Sequence, residues 1–131
     1  MNIIGNGVDI VENKRIANSI KNSAFILRIF TKNEISQSTK IKNKINYFAK
    51  RFAAKEAAAK ALGTGFRKGV YWKDLEVVNL PSGKPTINFH GESKKHLDSL
   101  IPRNSIPSIN LSITDEFPYA QAIVTINVEK I

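Results

Sequence analysis

The chain has 131 residues, 20 Lys+Arg against 11 Asp+Glu for a net charge of +9, and no cysteine. That length fits one domain, 1–131, with a core that needs no covalent staples, and the missing thiols exclude a disulfide framework, a cysteine metal site and a thiol nucleophile. The surplus of positive charge suits a polyanion, whether nucleic acid, a phosphorylated small molecule or an acidic protein, or else it is a solvated lysine surface.

The N-terminal Met1–Gly5 lacks the basic and apolar regions of a secretory leader. No apolar run approaches the roughly 20 residues that span a bilayer. The expectation is a soluble cytoplasmic protein. Ile3 to Val11 is predicted as a strand, and Gly5 and Gly7 within it signal a bulge or a close backbone approach. Glu12 to Ile20 reads as a first helix, and Ala24 to Phe30 continues apolar. Thr31 followed by Glu34 is a capping box that opens a short helix, after which Ser36 to Lys44 is polar. A long helix is predicted from about Lys42 to Leu62, with Ile45, Phe48, Phe52, Ala59 and Leu62 on one stripe and Gly63 as its C-terminal cap.

Leu75–Leu80 and Thr86–His90 read as strands of a hairpin around Pro81-Ser-Gly-Lys-Pro85. Gly91–Leu100 is a short amphipathic helix, and Pro102–Pro107 is a break. Ser108–Ile113 and Ala120–Val128 are the last strands. The order β-α-α-α-β-β-α-β-β does not alternate regularly, which predicts an α+β fold with a largely antiparallel sheet packed around one long helix.

The long helix places Lys55, Glu56 and Lys60 on or beside its apolar stripe, where charge is costly unless it is paired or holds an ion. Glu56 lies about 40° around the helix from Phe52. Glu56 is either a surface i,i+4 partner of Lys60 or part of a site. Asp9, inside Gly7-Val-Asp-Ile-Val11, is either a strand-end acid facing solvent or a ligand. Together the two acids suit one hard cation such as Mg²⁺, which takes one or two protein carboxylates and completes its shell with water and substrate phosphates. Lys55 and Lys60 are then candidate phosphate clamps, and Gly63-Thr-Gly65 a place where backbone can approach a ligand. His90 and His96 lack partners at metal-ligand spacing, and the few aromatics among the basic residues argue against a single-strand nucleic-acid surface.

Gly7-Val-Asp-Ile-Val-Glu12, Arg51-Phe-Ala-Ala-Lys-Glu-Ala57, Lys60-Ala-Leu-Gly-Thr-Gly65, Ser82-Gly-Lys-Pro85, Leu111-Ser-Ile-Thr114 and Tyr119-Ala-Gln-Ala122 follow one another in a distinctive order. In that order and spacing they resemble the small bacterial 4′-phosphopantetheinyl transferases of the holo-[acyl-carrier-protein] synthase type, over nearly the whole chain. The resemblance implies that fold, and transfer of the phosphopantetheine arm of coenzyme A to a serine of apo acyl carrier protein, with release of adenosine 3′,5′-bisphosphate, in fatty acid biosynthesis. It implies Asp9 and Glu56 as Mg²⁺ ligands and catalytic groups, with Lys60 near the pyrophosphate. It further implies Gly63, Thr64 and Gly65 along the coenzyme, and Arg51 and Gly83-Lys84-Pro85 near its nucleotide end. Arg15, Lys21 and Arg28 are the matching candidates for the carrier protein, and a homotrimer with sites at subunit interfaces is the implied assembly. Many members carry histidine where this chain has Asp115, a departure that puts one coenzyme contact in question. The competing reading is a basic nucleic-acid-binding module without catalysis, whose binding would fall steeply with salt and ignore Asp9.

Overall fold

A computed structural model describes residues 2–131. The chain runs β1 (Asn2–Glu12), α1 (Asn13–Ser19), α2 (Ser23–Ile29), α3 (Lys32–Ser38) and α4 (Lys44–Leu62). A 3₁₀ turn at Trp72–Asp74 leads into β2 (Leu75–Asn79) and β3 (Pro85–Phe89), followed by α5 (Gly91–Leu100), β4 (Ser105–Glu116) and β5 (Tyr119–Lys130). The antiparallel strands form two sheets, β1-β5-β4 and the hairpin β2-β3. This is the predicted α+β order.

The centre of the fold is the contact of α4 with β1. Gly7 is buried so close to the helix that a Cβ on it would stand 2.0 Å from the Ala57 carbonyl oxygen. At Gly5 the clash would be with the Ala61 carbonyl oxygen at 2.3 Å. The helix answers with a small-residue face: Ala53, Ala54, Ala57, Ala58 and Ala61 are all buried. Both signals expected of the two glycines are present, because the β1–β5 register also shifts between Ile3 and Gly5. Alternation along β5 turns Ala120, Ala122, Val124, Ile126 and Val128 into the core. Phe48 and Phe52 of α4 bury against Phe30 and Phe25 on another side of the helix. Ile45, expected to extend the stripe, is 38% exposed as the second residue of α4.

Asn43 caps α4 by accepting from the Asn46 amide, and Gly63 closes it in the left-handed region at φ 80°. The polar stretch after Ser36 is tied down: α3 continues to Ser38, and the Lys44 ammonium donates to the Ser38 and Ile41 carbonyls. The predicted capping box is complete. Thr31 Oγ1 accepts from the Glu34 amide at 3.1 Å, and Glu34 Oε1 accepts from the Thr31 amide at 2.8 Å. Thr31→Ala should therefore lower the unfolding free energy by about 1 kcal/mol, read from the urea midpoint at constant m.

Candidate active site

β1 and α4 bring the two acids together. Asp9 shares a face of β1 with Gly7, the face that meets α4, and Glu56 precedes Ala57 at that meeting point. Both carboxyls are half-buried. Burial pushes the Glu56 carboxyl above its usual range, and the neighbouring Asp9 charge pushes it the same way. Burial also raises Asp9, against the opposing pull of Lys60 and Arg15. Lys60, one turn beyond Glu56, donates to Asp9 Oδ1 at 3.3 Å and to the Val8 carbonyl at 3.1 Å, and it remains half-exposed. Two desolvated carboxylates that repel each other, with oxygen donors only, fit a hard divalent cation. Among the described residues no third His, Cys, Asp or Glu joins them.

Arg15 sits nearer the acids than a purely carrier-facing residue would. Its guanidinium lies 5.3 Å from the Phe52 ring centroid, and its charge bears on both Asp9 and Glu56. β1 runs directly into α1, so Arg15 lies only six positions after Asp9, a signal present in the sequence. Lys21 and Arg28 are exposed on the segment that follows, and Arg28 shares a surface hollow with Asn18, Asn22 and Phe25.

Beyond Gly63 the chain returns to the left-handed region at Gly65 (φ 57°), and a Cβ on either glycine would meet nothing within 4 Å. The backbone of this turn is thus open to a ligand on that side. Thr64 is buried between the two glycines, and the Gly65 amide donates to the Ala59 carbonyl at 3.1 Å. Arg51 lies about 140° around α4 from Glu56, so it does not join the acid pair directly. Its guanidinium covers the Tyr47 ring at 3.7 Å, and burial lowers its pKa. Arg51 lines a cleft of about 420 Å³ with Lys40, Val77, Val78 and Asn79. Those β2 residues lead into the Gly83-Lys84-Pro85 turn, where Gly83 adopts φ 89° and Lys84 is exposed.

One expectation fails. Lys55 is no phosphate clamp: its side chain is fully buried, and its ammonium contacts Glu34 Oε1 at 2.7 Å. It also donates to the carbonyls of Leu75 (2.6 Å) and Trp72 (3.1 Å). Desolvation lowers its pKa, against the pull of Glu34. Asp115 has its own partner, since Asn46 Nδ2 donates to its Oδ2 at 2.6 Å. This places an acid beside the first turn of α4, where the helix dipole favours it.

β1 and α4 thus hold two acids and a lysine in one place, with an open glycine turn at the end of the same helix. A family model described as the 4′-phosphopantetheinyl transferase superfamily matches residues 5–117, and the chain belongs to that family. Within it, the relatives have a more particular name. The holo-[acyl-carrier-protein] synthase of Rhizobium rhizogenes is 49% identical over 126 residues, covering 95% of this chain and 94% of the relative. That of Rhodopseudomonas palustris is 49% identical over 131 residues with the same coverage. The crystal structure of the Neisseria meningitidis holo-[acyl-carrier-protein] synthase superposes with a TM-score of 0.83 at 37% identity, over 96% of this chain and 99% of that one. The Bacillus anthracis enzyme, in complex with CoA (3′,5′-ADP), gives a TM-score of 0.75 at 35% identity, over 95% and 96%.

Proposed function

We propose that this chain is a holo-[acyl-carrier-protein] synthase. It transfers the 4′-phosphopantetheine group of coenzyme A to a serine hydroxyl of apo acyl carrier protein. The observation that carries the reading is the meeting of Asp9, Glu56 and Lys60 beside the open Gly63–Gly65 turn, in a chain about half identical to synthases of that name.

In bond terms, the serine oxygen attacks the phosphorus that carries the pantetheine. A new O–P bond forms, and the P–O bond to the adenosine 5′-phosphate breaks. Its electron pair leaves on adenosine 3′,5′-bisphosphate, and the serine proton passes to a base. Asp9 and Glu56 would hold a Mg²⁺ ion, which would supply neutralisation of the pyrophosphate charge. Lys60 reaches the same edge as Asp9 and stabilises the charge that develops on the departing bisphosphate. Glu56 is the candidate acceptor for the serine proton, directly or through an intervening water. Gly63, Thr64 and Gly65 offer backbone to the coenzyme, while Arg51 and the Gly83-Lys84-Pro85 turn take its nucleotide end.

Arg15, Lys21 and Arg28 form the face for an acidic carrier, and the charge of +9 speeds its capture by steering. The working assembly is a homotrimer. The sheet face turned away from α4 supports this, with Val8 (50% exposed) opposite Ile123 (43%) and Ile10 (57%) beyond. No helix among the described residues is long and apolar enough to cross a membrane. We place the enzyme in the cytoplasm, serving fatty acid biosynthesis.

The test is direct. Incubated with apo acyl carrier protein, coenzyme A and Mg²⁺, the chain should convert the carrier to a species heavier by one phosphopantetheine in intact-mass spectrometry. An unchanged carrier mass with folded protein would refute the assignment.

A further inference from the structure

Lys55 and Trp72 have no part in the chemistry above, yet they lie between its two halves. The Lys55 ammonium, one residue from Glu56, holds the carbonyls of Trp72 and Leu75 and is itself paired with Glu34. The backbone at 72–75 is thereby tied to α4. The indole of Trp72 stacks on Phe52 of α4, with centroids 4.9 Å apart and planes 25° apart. Its ring also stacks on Phe66, at 3.7 Å and 17°. Phe66 directly follows Gly65. At the far end, the Arg15 guanidinium lies over Phe52. A row of planar groups, Phe66, Trp72, Phe52 and Arg15, thus runs from the glycine turn to the acid pair. Phe52 is buried, whereas Phe66 and Trp72 keep partial exposure.

The turn needs such an anchor. Gly63 and Gly65 both have positive φ and nothing packed over the place of a Cβ. The Gly63 amide on the Lys60 carbonyl, the Gly65 amide on the Ala59 carbonyl and the Thr64 hydroxyl on the Gly65 carbonyl hold the turn on its helix side, and the stacked Phe66 holds the chain that leaves it.

We infer that Trp72 is a positioning residue for the coenzyme side of the site, seated by Lys55 and acting through Phe66 on the Gly63–Gly65 turn. This rests on the reading of that turn as facing coenzyme A. Trp72 touches no reacting atom, so its removal should weaken coenzyme binding and leave the chemical step alone.

The experiment measures transfer with coenzyme A varied and, separately, with carrier varied, on wild type, Trp72→Leu and Trp72→Phe. Calorimetric titration of coenzyme A onto each folded variant accompanies it. Trp72→Leu should raise the coenzyme KM and Kd about tenfold, the scale of a lost aromatic pair. Its kcat and carrier KM should stay within about twofold of wild type, and Trp72→Phe, which keeps a stackable plane, should recover most of the loss. Phe66→Leu breaks the same stack from the other side, should show the same split, and replaces Trp72→Leu if that variant does not fold. An unchanged coenzyme KM, a fall in kcat together with both KM values, or equal behaviour of the Phe and Leu variants would overturn the inference. Failure of the wild type to modify the carrier would instead sink the functional assignment, and the calorimetric ratios would still decide the role of Trp72.

Discussion

Replacing Glu56 with alanine should lower phosphopantetheine transfer by about 10²–10³-fold or more, the scale of losing a group that acts in the transition state, without lowering stability. The two halves of this expectation come from the same geometry. Glu56 and Asp9 are half-buried like charges, and burial and mutual repulsion raise the Glu56 pKa above its unfolded value. A carboxyl with a raised folded pKa binds its proton more tightly in the native state. Stability therefore falls as pH rises from the unfolded value through the folded one, and above that window ionised Glu56 is a net cost. Alanine removes the cost and is a better helix former than glutamate. In a chelator at neutral pH, the urea midpoint of Glu56→Ala should equal or exceed that of wild type. Single-turnover carrier mass should show the loss of transfer. Glu56→Gln separates the roles: near-normal turnover would remove Glu56 as the proton acceptor. A variant that loses activity only by unfolding would show that Glu56 is a structural residue.

Lys55→Ala should have the opposite profile, costing about 3–5 kcal/mol of stability, because it strands the Glu34 carboxylate in a fully buried site. Three oxygens lose the ammonium at once, Glu34 Oε1 and the carbonyls of Trp72 and Leu75, and Glu34 Oε1 is left with only the Thr31 amide. Glu34→Gln with Lys55→Met removes both charges while keeping apolar volume, and its cost should fall well below the sum of the single losses. A double-mutant cycle in urea measures the difference. Additive costs would show that the pair is not coupled.

The Lys55–Glu34 pair also shows where sequence reading stopped. The capping box at Thr31 and Glu34 is local, three residues apart, and was legible as spacing. The same carboxylate also accepts from the Val77 amide at 2.8 Å and pairs with Lys55. Those contacts join residues 43 and 21 positions away, which no local pattern records. Lys55 is thus legible as a charge in a costly place, but its partner Glu34 is not. Asp9 and Glu56, also far apart in the chain, are paired by the chemistry of a shared hard cation and again by the family resemblance, not by periodicity. The glycines of β1 were legible because only close approach or irregular backbone calls for two of them in an apolar strand. The start of β4 was missed for a physical reason: Pro107 looked like a break, but β4 is an edge strand of the β1-β5-β4 sheet and tolerates a residue without an amide hydrogen. The open Gly63–Gly65 turn is legible from its two glycines, whereas the stack that begins at Phe66 depends on tertiary packing that the order of residues does not announce.

The main-chain contact between β1 and α4 bears on how the enzyme can move. Where Gly7 faces Ala57 no side chain intervenes, so no rotamer change can widen or narrow the gap. Asp9 is two residues along the strand from that point, and Glu56 adjoins it on the helix. The separation of their backbones is therefore rigid on the timescale of side-chain motion, and adjusting it would mean parting the centre of the fold. Any adjustment that accompanies coenzyme entry or product exit falls to the ends of the side chains and to the chain beyond Gly63. The acids form a fixed jaw, and the glycine turn is the part of the site that can yield.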